Sequence, residues 1–87
     1  MGSQKPIIMS THALGYVQRR GFSVQEVTEA IRSAPWSQVA PGRWECRHDF
    51  AFDAEWNGRM YATKQVRPIF VDEPAAIVVV TVYTYYF

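Results

Sequence analysis

The chain has 87 residues, of which 48% are hydrophobic and 20% charged, and its formal net charge is +1. This composition excludes a disordered or low-complexity chain, and the near-neutral charge excludes a strong overall attraction to nucleic acid. The single cysteine excludes a disulfide framework and a cysteine-based zinc site.

The chain reads as one domain over residues 1–87, and we expect its N-terminal segment, residues 1–9, to be partly tag or flexible, with residues 1–3 as a cloning remnant. No basic-then-apolar leader opens the chain, and its longest uncharged stretch, residues 74–87, is shorter than the ~20 residues of a membrane helix. We therefore expect a cytoplasmic protein without a membrane segment, and we expect no cofactor and no metal ion.

Two helices are predicted in the first 35 residues. Ser10 is a suitable N-cap for a helix that runs to Arg20, and Gly21 is a suitable residue to end it. Leu14 and Val17 then lie on one face of this helix and should be buried.

Residues 23–26 read as a capping box that begins a second helix, and Pro35 ends it. Val24, Val27 and Ile31 form its apolar stripe.

From Trp36 onward the hydrophobic period changes to two, which predicts β-strands. Residues 36–40, 43–52, 60–71 and 76–87 fit strands, with Asn57-Gly58 as a hairpin turn. Pro68 favours an edge position or a bulge in the third of these strands. The predicted fold class is therefore α+β, with two N-terminal helices packed on a three- to four-stranded antiparallel sheet.

Several short motifs occur in an order that resembles the pattern of a known protein family. They are His12-Ala13, Arg20-Gly21-Phe22-Ser23, Val27 and Val80-Thr81-Val82-Tyr83. In these motifs the chain resembles the domain of unknown function 4258 family of small bacterial and archaeal proteins. Tyr16 departs from the pattern, because the family often has an arginine there.

The resemblance implies a RelE-like fold, since the family is similar in element order to RelE- and BrnT-like toxins. It also implies the toxin-like half of a toxin–antitoxin pair, with RNA as substrate and a small antitoxin protein as partner. The reaction it suggests is metal-independent endoribonuclease cleavage.

Cleavage of RNA without a metal ion needs proton-transfer groups and cations around the phosphorane, and histidine, lysine and arginine suit these roles. The candidate catalytic residues are His12, Lys64 and Arg67. The candidate substrate-binding residues are Tyr16, Arg19, Arg20, Arg47, His48 and Tyr83.

Each candidate also has a structural interpretation. His12 fits an exposed or capping residue, and His48 fits a satisfied histidine at the rim of the core. Lys64 alternates with apolar neighbours, so it lies either on an exposed part of the sheet or in a pocket or charge pair.

Two further functions compete with the enzyme. One is a non-catalytic module that binds a partner segment along a sheet edge, and the other is an inactive protein that self-associates through its aromatic residues 83–87. Because edge strands normally carry a charge, a proline or a cover and residues 83–87 have no charge, we expect these aromatic residues to lie inside the sheet or to be covered by another chain, as in a homodimer.

Overall fold

The computed structural model describes residues 5–87, in which six strands and three helices are found. They are β1 (Ile7–Met9), α1 (Thr11–Leu14), α2 (Val17–Arg20), α3 (Val24–Ser33), β2 (Ser37–Ala40), β3 (Arg43–Glu45), β4 (His48–Trp56), β5 (Arg59–Asp72) and β6 (Ile77–Tyr86). The predicted fold class is wrong, because the protein is mostly β and its sheet is mixed and six-stranded. The suggestion that residues 1–3 are a cloning remnant lies outside the described residues.

The sheet is organised around β5, which pairs with β6 on one side and with both β3 and β4 on the other. The strand order is β1-β6-β5-β3-β2. Strand β1 makes the sheet mixed, since Ile7 pairs in parallel with Ile77. Strand β1 was not predicted, because its three apolar residues are too few to show a period of two.

The predicted first helix is divided into α1 and α2 at Gly15 and Tyr16. Ser10 caps α1 as expected, because its side chain accepts a hydrogen bond from the amide of Ala13. The division changes which residue is buried: Ala13 lies in the core, whereas Leu14 is 50% exposed. The predicted core position of Leu14 is therefore wrong.

Helix α3 confirms its sequence signals. The Ser23 side chain accepts from the Glu26 amide and the Glu26 side chain accepts from the Ser23 amide, which completes the capping box. Val27 and Ile31 are buried as predicted, whereas Val24 is exposed.

Pro68 lies inside a central strand, where its missing N–H would normally break the sheet. Strand β4 pairs with β5 up to Val66, and β3 pairs with it from Ile69. Pro68 thus lies where the neighbouring strand changes, and no partner residue on that side is paired with it. The register shift between Ile69 and Phe70 leaves Val80 without a paired residue, so the extra residue lies in β6 and not in the strand of Pro68, where a bulge was expected.

The three helices cover one face of the sheet, which we call the helix face. The core lies between these layers and includes Phe22, Val27, Ile31, Val66, Phe70, Ile77, Val79 and Val82. The opposite face, which we call the outer face, carries the alternate residues of β5 and β6, among them Arg67 and Tyr83. Of the candidate site residues, Arg67 and Tyr83 lie on this outer face.

A close contact fixes the end of α2 against the sheet. Gly21 has a φ of 73°, and a Cβ atom on it would lie 2.6 Å from ring atoms of Trp56. Trp56 stacks on Tyr86, whose hydroxyl donates to the carbonyl oxygen of Arg20 at 2.9 Å. This contact holds the helices at a defined position beside β6.

No helix within residues 5–87 is both long and apolar enough to cross a membrane.

Candidate functional site

Lys64 and Arg67 lie on opposite faces of β5, because an odd number of positions separates them in a strand. Lys64 pairs with Tyr86 on the helix face, and Arg67 pairs with Tyr83 on the outer face. The two predicted catalytic cations therefore do not act on one phosphate.

Lys64 forms a buried charge pair, one of the two alternatives that its position in the sequence left open. Its Nζ lies 2.9 Å from Oε2 of Glu26 and donates to the carbonyl oxygen of Gly21 at 2.8 Å. The residue is 8% exposed. These contacts tie β5 to the start of α3 and use the charge of Lys64 inside the fold.

Arg67 forms a different group on the outer face, with one residue from each neighbouring strand. Its Nε donates to Oε1 of Glu45 on β3, and its Nη1 donates to the hydroxyl of Tyr85 on β6 at 3.4 Å. Burial alone would lower the pKa of Arg67, but the hydrogen bonds and the charge of Glu45 raise it overall. A cation, a carboxylate and a phenol thus meet in a fixed arrangement.

Arg20 extends this group across the edge of β6 towards the helices. Its Nη1 donates to the carbonyl oxygen of Val82 at 2.7 Å. Its guanidinium carbon lies 3.9 Å from the ring centroid of Tyr16 and 4.9 Å from that of Tyr83. The guanidinium of Arg67 lies 5.5 Å from the same Tyr83 ring, so that one ring connects the two cations.

Arg19 and His12 complete the arrangement on the helical side. The ring of His12 lies 4.9 Å from that of Tyr16, and the guanidinium carbon of Arg19 lies 5.5 Å from it. Both residues are exposed. We call the connected set the cation–aromatic patch; its members are His12, Tyr16, Arg19, Arg20, Glu45, Arg67, Tyr83 and Tyr85.

Three of the predicted site residues lie outside this patch. Lys64 is on the helix face, as is His48, whose Nε2 lies 3.5 Å from Oε2 of Glu29. Arg47 is exposed in the short link between β3 and β4, and within residues 5–87 its side chain makes no hydrogen bond or ion pair.

Glu45 and Tyr85 were not among the predicted site residues. Glu45 alternates with Trp44 on a predicted strand, which indicates only that it faces away from the core. Its proximity to Arg67 depends on the register of β3 on β5, in which Glu45 pairs with Ile69. No local sequence signal gives that register.

Cys46 follows Glu45 but does not contribute a reactive group. Burial, together with the charge of Glu45, raises the pKa of Cys46 to about 12. The thiol is therefore protonated at neutral pH and is a poor nucleophile or metal ligand. No group of three His, Cys, Asp or Glu side chains that could hold a metal ion occurs within the described residues.

Two edge strands of the sheet, β2 and β4, carry features that oppose strand addition. Strand β2 is short, has a register shift and is flanked by Pro35 and Pro41. Strand β4 carries exposed acidic residues, Asp49, Asp53 and Glu55, and Asp53 has a positive φ of 44° at a register shift. Binding along a sheet edge stays a prediction without a specific contact in its favour.

No family model, no curated protein and no solved structure matches this chain. The resemblance suggested by its short motifs therefore stays a prediction.

Proposed function

We propose that this protein is a metal-independent endoribonuclease that binds single-stranded RNA across the cation–aromatic patch. The observation that supports the proposal is the meeting of Glu45, Arg67 and Tyr85 on an uncovered sheet face. A carboxylate, a fixed guanidinium and a phenol are a base, a stabiliser of negative charge and an acid, which are the groups that the reaction needs.

In the proposed reaction, Glu45 accepts the proton of a ribose 2′-hydroxyl, and the 2′-oxygen forms a bond to the adjacent phosphorus. Arg67 stabilises the charge of the phosphorane. The bond between phosphorus and the 5′-oxygen then breaks, and Tyr85 donates its proton to that oxygen. The products are a 2′,3′-cyclic phosphate and a 5′-hydroxyl, and water returns the proton to Tyr85 and removes it from Glu45.

The remainder of the patch binds the RNA on either side of the cleaved bond. Arg19 is an exposed cation for a neighbouring phosphate, and Tyr83 offers a ring on which a base can stack. His12 lies at the far end, where its described ring contact is with Tyr16. We therefore assign His12 to binding and not to proton transfer.

A cleavage assay in EDTA tests this function with a single-stranded RNA that carries a fluorophore and a quencher. The Glu45→Gln and Arg67→Ala variants should cleave RNA at least about 100-fold more slowly than the wild type, because each lacks a group needed in the transition state. Arg59→Ala is the matched control, since Arg59 is an exposed arginine whose guanidinium lies over Tyr61, away from the patch. Wild-type protein that leaves every RNA intact would contradict the proposal.

The toxin role and the cytoplasmic location are part of the same proposal, supported by the resemblance of the motifs and by the intracellular position of RNA. Induced expression in a bacterial host should arrest growth, and co-expression of a short adjacent reading frame should restore it. Arg67→Ala should not arrest growth at equal protein level. Normal growth with the wild-type protein alone would contradict the toxin role without contradicting cleavage in vitro.

A further inference from the structure

Three aromatic residues form a row at the end of β6. Tyr83, Tyr85 and Phe87 are 39%, 40% and 57% exposed. They alternate along one strand. The backbone hydrogen bonds to β5 continue as far as Phe87, whose N–H and carbonyl both bond to Thr63. Alternate residues of a strand project from the same face at a spacing of about 7 Å. We call this row the aromatic ladder.

The exposure of the ladder is specific to its face. Tyr86, between Tyr85 and Phe87, is packed against Trp56 at 4.8 Å and Phe52 at 5.2 Å between ring centroids. The helix face therefore buries its aromatic ring, while the outer face leaves three rings accessible to solvent. Exposed aromatic rings in a row are uncommon on a small domain and indicate a binding surface.

Two of the three rings, those of Tyr83 and Tyr85, are held in place by neighbouring cations. Arg67 contacts the Tyr85 hydroxyl and lies over the Tyr83 ring, and Arg20 lies over the same ring. These contacts reduce the freedom that the rings would lose on binding. They also place positive charge beside the rings, which suits a ligand that is both planar and anionic.

We propose that the aromatic ladder is a stacking platform that holds about three successive bases of a single-stranded nucleic acid, whether DNA or RNA. Bases stack at about 3.4 Å in a duplex, so a strand extended to twice that rise places one base on each ring. Stacking uses the face of the base and makes no contact that requires a 2′-hydroxyl or a particular sequence. The inference deepens the proposed function, since both use the outer face.

The charge of the surface determines how binding depends on salt. Glu45 neutralises Arg67, which leaves Arg19 and Arg20 as the cations of the patch without an acidic partner among the described contacts. Two phosphate contacts to a single strand give a slope of about −1.4 in a plot of log K against log salt. Stacking should therefore dominate the affinity, and the salt dependence should be shallow.

Fluorescence anisotropy with labelled ten-nucleotide oligothymidylate and 2′-O-methyl oligouridylate, neither of which has a free 2′-hydroxyl to be cleaved, tests the ladder in EDTA. Both should bind with similar affinity. In a series of oligothymidylates of increasing length, the affinity should stop rising steeply beyond about three to four nucleotides. Phe87→Ala and Tyr85→Ala should each weaken the binding of both oligonucleotides about 10-fold, since each substitution removes the ring on which one base stacks.

Met60→Ala is the matched control, because Met60 is 70% exposed at the start of β5 and lies outside the ladder. Oligothymidylate lacks the 2′-hydroxyl and cannot be cleaved by the proposed reaction, so its binding reports on the ladder alone. Binding without any RNA cleavage would support the ladder and contradict the ribonuclease. The ladder is overturned if oligothymidylate does not bind, or if Phe87→Ala and Tyr85→Ala bind it like wild type. It is also overturned if sedimentation shows a dimer that Phe87→Ala dissociates, since a second copy would then cover the rings.

Discussion

Arg20 and Arg67 place their guanidinium carbons 4.9 Å and 5.5 Å from the centroid of one ring, that of Tyr83. Arg20 comes from the end of α2 and Arg67 from the middle of β5. Tyr83 therefore joins cations from a helix and from a strand into one surface. The residues that build this surface differ from those that stabilise the fold beneath it, so substitutions in the two sets should have different effects.

Lys64 should contribute to stability and not to RNA cleavage. Lys64→Ala removes the partner of Glu26 and a donor to the Gly21 carbonyl, and we expect it to lower the free energy of unfolding by about 2 kcal/mol. Urea denaturation measures this loss. The double variant Lys64→Met, Glu26→Gln should lose less stability than Lys64→Ala, because no charge is then left unpaired. A fully stable Lys64→Ala protein that no longer cleaves RNA would contradict the structural role.

Gly21 should tolerate no side chain. Gly21→Ala combines the cost of a left-handed backbone with the overlap between the new Cβ and the Trp56 ring, and should cost about 2–3 kcal/mol. Gly42→Ala is the control, because Gly42 has a similar φ of 74° and no atom within 4 Å of a Cβ. It should cost about 1 kcal/mol. Equal losses in the two variants would show that the Trp56 contact is unimportant.

Leu14 and Ile31 should respond differently to truncation. Leu14→Ala removes a side chain that is half in solvent and should change stability by less than about 1 kcal/mol. Ile31→Ala creates a cavity in the core and should cost about 2–5 kcal/mol. Thermal melts of the two variants check this difference. A large loss for Leu14→Ala would place its side chain in the core.

Cys46 should make stability fall at alkaline pH. Its pKa is raised from 9.0 to about 12 in the folded protein, so the unfolded thiol ionises first as the pH rises. The thiol's contribution is therefore fully present below about pH 9 and is lost between pH 9 and about 12. Chemical denaturation across this range should show a steeper decline for wild type than for Cys46→Ala. Identical slopes in the two proteins would contradict the raised pKa.

Local signals in the sequence were sufficient to predict several elements of the structure. The capping box of Ser23 and Glu26, the end of α2 at Gly21 and the Asn57-Gly58 turn were predicted and are confirmed. Each depends on interactions between residues close in the chain, whose backbone geometry their own chemistry sets. The sequence also located the strand that became β5 and the residue, Pro68, at which its pairing had to be interrupted.

Tertiary structure alone decided the sheet and the site. The parallel pairing of β1 with β6 and the register of β3 on β5 join segments distant in the chain, and short strands do not specify such partners locally. Glu45 meets Arg67 only through that register, and the ion pair of Lys64 with Glu26 forms only because α3 packs on that face of β5. The side-chain types that suit RNA chemistry could thus be read from the sequence. Which of them face one another depends on the free energy of packing the whole chain, because a shift of one residue in a strand moves every side chain to the other face.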